Sequence, residues 1–450
     1  MRSMGRAGLA TAAIGAVVAP CLLQSGCASN TPAAASDTRP AASTSAPVTT
    51  ARTTSPSATA SGSASSLAPD VLPATTTPTP AEPHLKKRPN ILLITADDAS
   101  ILDLPYMPHV RKLIGKAGVK FADALAPTPI CVPARASLLT GQYADNTGTV
   151  TISGPRGGFQ HFRDKRSLPV ALQKAGYQTL FTGKYLNGYD KPGQTYVPPG
   201  WTDWRATSDG TYNFYNQVLN INGHLEHVNR YTTFTMRDQA DDMIRSHGKR
   251  KKPWYLWLNY VAPHVGSPVQ AGDPKLLYPG TKAAYGTTVP APSDFNRYRN
   301  IKLPDRPDMF EKDISDKPKH SPAHRHLSHN QKKALRIEFE RRVEAVQGVD
   351  RAVASQIRTL KQTHQLKNTV VIFTGDNGFV TGEHNMEGKL WHYNEILRIP
   401  VLMRGPGIPR HKVVRTAITN PDIAVTIMAL ARAKSLRGPL DGVNMLPWLR

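Results

Sequence analysis

Short apolar runs that stop abruptly at carboxylates, glycine or lysine are the most regular feature of the chain. Asn90–Thr95 (N-I-L-L-I-T) runs into Ala96-Asp97-Asp98, Gln178–Thr182 into Gly183-Lys184, Trp254–Val261 into Pro263-His264, and Thr369–Thr374 into Gly375-Asp376-Asn377-Gly378. Each run has the length and continuity of a buried strand rather than a helix. Ile399–Met403 reads as a further strand. Helices are predicted between them over Pro108–Lys116, Leu168–Lys174, Lys332–Leu360 and Pro421–Leu430, the first two closing at Gly118 and Gly176. Strands alternating with helices predict an α/β fold with a mostly parallel sheet. Ligands of such sheets collect at the carboxyl ends of the strands, where every one of these polar clusters falls.

The first 85 residues follow another pattern. Arg2 and Arg6 precede an apolar run from Ala7 to Leu23, which ends Leu22-Leu23-Gln24-Ser25-Gly26-Cys27. Charge followed by a short apolar stretch is the signature of a secretory leader. The small residues before Cys27 resemble a bacterial lipobox, with Gln24 where an aliphatic residue is usual. The expectation is an exported protein of the cell envelope, lipid-anchored through Cys27 to the outer face of the cytoplasmic membrane, or else cleaved and secreted. Residues 28–85 are almost all Ala, Ser, Thr and Pro, a tether with no apolar periodicity to bury. The folded domain is therefore placed at 86–450, behind a leader at 1–27.

Composition narrows the picture further. Among 450 residues, 40% are hydrophobic and 20% charged, which excludes wholesale disorder. No apolar run outside the leader is membrane-like, so a lipid anchor is the one membrane attachment expected. The formal net charge of +23 predicts anionic company. No base-reading motif is present, so nucleic acid is not an expected partner. Arg245–Arg342 holds twenty Lys and Arg against nine Asp and Glu and reads as a long solvated surface excursion.

With Cys21 and Cys27 in the leader, Cys131 is the single cysteine of the folded part. It lies in Pro129-Ile130-Cys131-Val132-Pro133-Ala134-Arg135-Ala136-Ser137-Leu138-Leu139-Thr140-Gly141. Pro133 suits a first helical turn and Ala134–Leu139 are good helix formers, so Cys131 heads a helix with Arg135 one turn along the same face. The residues alone allow an activated thiolate or a buried structural cysteine. No general base stands nearby in sequence.

C-x-P-x-R followed by A-S-L-L-T-G resembles the signature of the sulfatase family, whose cysteine is oxidised after translation to formylglycine. Gly176-Tyr177-Gln178-Thr179 through Gly183-Lys184-Tyr185-Leu186, the earlier Arg88-Pro89-Asn90…Asp97-Asp98, and the later Gly375-Asp376-Asn377-Gly378…Gly388-Lys389 match the other family blocks in order. Gly183–Tyr189, Val197-Pro198-Pro199-Gly200-Trp201 and Asn220-Ile221-Asn222-Gly223 are similar to N-acetylglucosamine-6-sulfatases and related bacterial sulfatases. The resemblance implies an alkaline-phosphatase-like sandwich with a large mostly parallel central sheet flanked by helices. Relatives usually continue into a small C-terminal antiparallel subdomain, which is expected to be absent or truncated here.

The activity implied is hydrolysis of sulfate esters on a sulfated small molecule or glycan, an amino sugar above all. The resemblance implies Ca²⁺ (or Mg²⁺) held by Asp97, Asp98, Asp376, Asn377 and the modified Cys131. It assigns Arg135, Lys184, His264 and Lys389 to the sulfate group and the leaving oxygen, and a formylglycine-generating enzyme to maturation. Leu186 stands where many sulfatases carry a histidine, which leaves open the group that takes the proton when sulfate departs. Asn187 and His384 are candidates for the substrate pocket. Two other readings are a phosphodiesterase or phosphonate monoester hydrolase of the same superfamily, and a catalytically silent glycan-binding lipoprotein. The joint presence of Cys131, Arg135, Lys184, His264 and Lys389 argues against the last.

Overall fold

The computed structural model describes Leu85, residues 87–274 and residues 286–449. The leader, Cys27 and the tether up to residue 84 lie outside the described residues. Ten strands form one sheet in the order Lys412–Val414, Val119–Phe121, Val401–Arg404, Thr369–Gly375, Asn90–Ala96, Trp254–Tyr260, Gln178–Gly183, Asp203–Asp209, Gln217–Ile221, His224–Val228. The five strands from Thr369–Gly375 to Asp203–Asp209 run parallel. Antiparallel pairings flank them at Val401–Arg404 and at the meander ending in His224–Val228.

The central strands are apolar without alternation because helices cover both faces. Ile91, Leu93, Phe181 and Trp257 point to one side, against Val132, Leu138, Leu168, Ile423 and Ile427 of the helices Cys131–Thr140, Leu168–Lys174 and Asn420–Ala431. Leu92, Ile94, Leu256 and Phe373 point to the other, against Met236, Ile244, Val346 and Ile357 of Thr232–Gly248 and His329–Gln362. Among the described residues no helix is long and apolar enough to cross a membrane.

The structure departs from the sequence reading in several places. The helix Thr232–Gly248 and the strands Val119–Phe121, Asp203–Asp209, Gln217–Ile221, His224–Val228 and Lys412–Val414 are not among the predicted elements. The Pro108–Lys116 helix divides into an α-turn at Pro108–Val110 and a π-helical stretch at Arg111–Lys116. Arg245–Arg342 is only partly a surface excursion. It contains the fully buried strand Trp254–Tyr260 and the start of the 34-residue helix His329–Gln362, which opens with a Ser328–Gln331 capping box. That helix returns Arg342 to the strand ends: its Nη2 donates to the Asp98 carbonyl at 2.8 Å and to Asp103 Oδ2 at 2.6 Å.

Candidate active site

Parallel register brings the polar strand ends together. Ala96 pairs with Gly375 on one side and Tyr260 on the other, and Gly183 pairs with Asn259. Asp97, Asp376, Asn259 and Lys184 therefore emerge on one level. Gly183 must be glycine: its φ is +105°, and a Cβ there would lie 1.9 Å from the Asn259 carbonyl oxygen. The chain can turn at once and deliver Lys184. Asp98 adopts φ +62°, a left-handed conformation that aspartate tolerates better than most residues. Its turn directs neighbouring carboxylates into the same space.

The helix Cys131–Thr140 starts where Ile130 is extended and ends at Gly141, which is left-handed at φ +75°. All ten of its residues are buried, so its first turn points inward. Cys131 Sγ lies 3.1 Å from Lys389 Nζ and 3.8 Å from Asp97 Oδ1. Arg135 is fully buried. Its Nε donates to Asp376 Oδ2 at 2.7 Å, and its Nη1 to the Lys184 carbonyl at 2.8 Å and to Asn259 Oδ1 at 3.0 Å. Its Nη2 stands 3.4 Å from Asp97 Oδ1. Lys184 Nζ donates to Asp97 Oδ2 at 2.5 Å, and Lys389 Nζ to Asp98 Oδ1.

Asp376 Oδ1 accepts the Asp98 and Asn377 amides, each at 3.0 Å, and Asn377 Nδ2 donates to Asp98 Oδ1 at 2.8 Å. Two oxygens in this web, Asp98 Oδ2 and Asn377 Oδ1, are buried with no hydrogen-bond partner. Buried acceptors are rarely left so, and each marks a place for a missing donor or cation. Asp97, Cys131 and Asp376 bring one ligand atom apiece within 4.8 Å of one another, as do Asp98, Cys131 and His264.

Electrostatics follow from burial and pairing. Burial alone would raise Asp98 and Asp376. Lys389 beside the first and Arg135 beside the second pull both below the usual carboxylate range. Burial opposes the charge of Lys184, but the Asp97 carboxylate outweighs it and keeps the amine cationic. Burial pushes the Cys131 thiol up to about 11 despite Lys184 and Lys389. The unmodified residue is thus a neutral thiol, a poor match to an activated thiolate. His264 is buried, which lowers it to about 4. Its Nδ1 lies 2.7 Å from the Val265 carbonyl and so carries the proton, leaving the Nε2 lone pair 3.7 Å from Asp98 Oδ2.

All the residues that the sequence nominated for chemistry or metal thus lie together, and the two pocket candidates divide. Asn187 Nδ2 donates to the Tyr212 hydroxyl at 2.9 Å, at the edge of the cluster. His384 does not reach it. Its ring stacks on Tyr393, with Nδ1 2.9 Å from Glu311 Oε1 and Nε2 3.0 Å from Glu395 Oε2. It clamps the segment between Asn377 and Lys389 to residues 306–317. Burial lowers its pKa, but the Glu395 and Glu311 contacts more than offset this and raise it above 6.5. The imidazolium therefore adds stability below about pH 6.5, lost as pH rises through the higher folded value. His384→Gln should flatten that fall in a melting-temperature series; parallel wild-type and variant curves would contradict the clamp.

Three residues of the cluster went unnominated. Asn259 had a signal, as a polar residue inside the apolar run Trp254–Tyr260. Tyr212 and Arg342 had none. Tyr212 comes over the site on the Asp203–Ile221 hairpin, where it stacks on His264 with ring centres 4.3 Å apart and takes Lys184 Nζ 5.0 Å from its own. Leu186, where a histidine is usual, is buried in the aromatic core beneath.

The sulfatase family model matches residues 89–433. The chain belongs to the sulfatase family. It is 31% identical over 380 residues to an arylsulfatase of Volvox carteri, covering 80% of this chain and 58% of that protein. It is 29% identical over 382 residues to the N-acetylglucosamine-6-sulfatase of Capra hircus, covering 81% of this chain and 64% of that one. This sulfatase chain thus spans less than two thirds of either relative's length. A protein solved in complex with its substrate D-glucosamine-2-N,6-O-disulfate shares the fold at TM-score 0.63 and 20% identity, over 81% of this chain and 80% of that one.

Proposed function

We propose that the protein hydrolyses sulfate esters using a formylglycine made from Cys131 and a divalent cation, with a 6-O-sulfated amino sugar as the substrate class. The observation that carries this reading is the setting of Cys131. It is a buried neutral thiol, its pKa pushed up to about 11, facing three cations, three carboxylates and two unpartnered oxygens. A thiol serves no evident purpose there; an oxygen nucleophile does.

The donors fit a hard cation. Asp97, Asp98, Asp376 and Asn377 offer oxygen ligands, which suit Ca²⁺ or Mg²⁺ over zinc. Asp98 Oδ2 and Asn377 Oδ1 are otherwise unsatisfied. Charge agrees: the carboxylates of Asp97, Asp98 and Asp376 balance Arg135, Lys184 and Lys389, so a divalent cation leaves the pocket positive and suited to an anionic ester. When present, the cation and the oxidised residue 131 supply electrostatic stabilisation and the attacking oxygen.

The chain's own side chains do the rest. Lys389 Nζ stands 3.1 Å from the residue 131 side chain, where it neutralises sulfate oxygens and gives its proton to the leaving alcohol. Lys184 acts on the opposite side of Asp97. Arg135 holds Asp97 and Asp376 in position. His264 presents the Nε2 lone pair and accepts a proton there, a role for which Leu186 has no capacity. Tyr212 fixes the plane of that imidazole.

The amino-sugar assignment rests on the names of relatives such as the Capra hircus enzyme. Because Cys131 is only 3% exposed, its conversion by a formylglycine-generating enzyme precedes folding. Export by the 1–27 leader and anchoring through Cys27 complete the proposal, with residues 28–85 as the tether. Protein made with the maturation enzyme should release sulfate from N-acetylglucosamine 6-sulfate and from 4-nitrophenyl sulfate. A chelator should stop both reactions, and Ca²⁺ should restore them. Full turnover in chelator would refute the metal assignment; faster cleavage of a phosphodiester than of either sulfate would favour the phosphodiesterase reading.

A further inference from the structure

The opposite pole of the sheet carries a second concentration of charge that the catalytic site does not use. A cleft of ≈ 550 Å³ opens at the amino ends of the strands beginning at Asn90 and Trp254, lined by Lys87, Arg88, Arg250, Lys251, Lys252 and Arg432 with no carboxylate among its lining residues. Lys87, Arg250, Lys251 and Lys252 are exposed, and none pairs with an acid among the described residues. The floor is rigid and satisfied: Trp254 Nε1 and Asn90 Nδ2 both donate to Gln365 Oε1, at 2.8 and 3.3 Å.

Cations near helix carboxyl ends are ordinary, because they offset the dipole. That accounts for Arg245 and His247 in the last turn of Thr232–Gly248, and for Lys361 at the end of His329–Gln362. It does not account for Arg250-Lys251-Lys252, which follow the helix, nor for Lys87, which precedes the strand Asn90–Ala96. A rim of unpaired cations over a fixed floor is an anion-binding surface.

Its location selects the partner. The strand from Asn90 to Ala96 has seven residues and separates this pole from Asp97 by roughly 23 Å. A polyanion held in the catalytic pocket would have to turn around the body of the domain to touch both. The amino-terminal end of the described chain, in contrast, enters here: Arg432 Nη2 donates to the Leu85 carbonyl at 2.7 Å. We infer that this pole docks on anionic phospholipid headgroups and holds the catalytic face toward the outside. The choice of lipid rests on the reading of the chain as exported to the envelope; the binding itself does not depend on sulfatase activity.

The test compares the full chain with the variant Lys87→Gln, Arg250→Gln, Lys251→Gln, Lys252→Gln on phosphatidylcholine vesicles with and without phosphatidylglycerol. Any anchor inserts equally in both proteins and cancels. At about 1 kcal/mol per basic residue near an anionic surface, the wild type should prefer the phosphatidylglycerol vesicles by at least about a hundredfold. The variant should lose that preference and turn over 4-nitrophenyl sulfate as the wild type does. Added salt should weaken the wild-type preference, as the Debye length shortens. An equal preference in the variant would overturn the proposal. So would variant-sensitive binding of dextran sulfate with no preference for the anionic vesicles.

Discussion

Arg135→Ala should abolish sulfate release and cost about 3–5 kcal/mol of stability, the scale for breaking a buried ion pair from one side. Arg135 is fully buried and binds Asp376, Asn259 and the Lys184 carbonyl, with Asp97 also beside it. Removing it leaves the buried Asp376 carboxylate without its ion-pair partner, leaves Asp97 to Lys184 alone, and frees the backbone that presents Lys184. Arg135→Lys restores a charge but not the fork that reaches several acceptors at once, so it should recover part of the stability and little of the turnover. Denaturant midpoints and sulfate release measured on the same samples check both. An alanine variant that unfolds like the wild type would contradict the role given to this residue.

Cys131→Ser should separate chemistry from structure. The side chain is small and buried, and the contact it loses is a weak sulfur interaction with Lys389, so stability should change by about 1 kcal/mol or less. An unmodified serine offers an oxygen at the same place but only a single hydroxyl, so it lacks the second hydroxyl that the proposed formylglycine would use to expel sulfate. Turnover should therefore fall by about four orders of magnitude or more, the scale of losing a nucleophile. Circular dichroism and single-turnover assays on one preparation distinguish this from Arg135→Ala, where both quantities collapse. A serine variant with near-normal turnover would remove Cys131 from the mechanism.

The two variants differ because their residues were legible for different reasons. Asp97, Lys184 and Asp376 each follow an apolar run directly, so parallel strand order alone carries them to one edge. Arg135 is placed by helical spacing from Cys131. His264 and Lys389 stand in loops, and the family resemblance rather than periodicity pointed to them. Tyr212 and Arg342 arrive from a hairpin and from the third turn or later of a long helix, elements whose contacts with the site depend on tertiary packing. Asn222-Gly223 marks the turn between the five-residue strands Gln217–Ile221 and His224–Val228, but nothing in the sequence pairs the first of them with Asp203–Asp209 and so brings Tyr212 over the site. His384, a candidate for the substrate pocket from its place between two motif blocks, has both ring nitrogens against carboxylates, a pairing that its sequence neighbourhood does not show.

The proposed chemistry requires that residue 131 be chemically changed, and the change is directly observable. Trypsin should release the peptide from Phe121 to Arg135 whole, since no other Lys or Arg falls within it. In protein from the native host, mass spectrometry should find that peptide with one sulfur and two hydrogens lost and one oxygen gained, the composition of formylglycine. The modified fraction should scale with the rate of sulfate release. A peptide carrying only the intact thiol, in protein that still hydrolyses sulfate esters, would contradict the account.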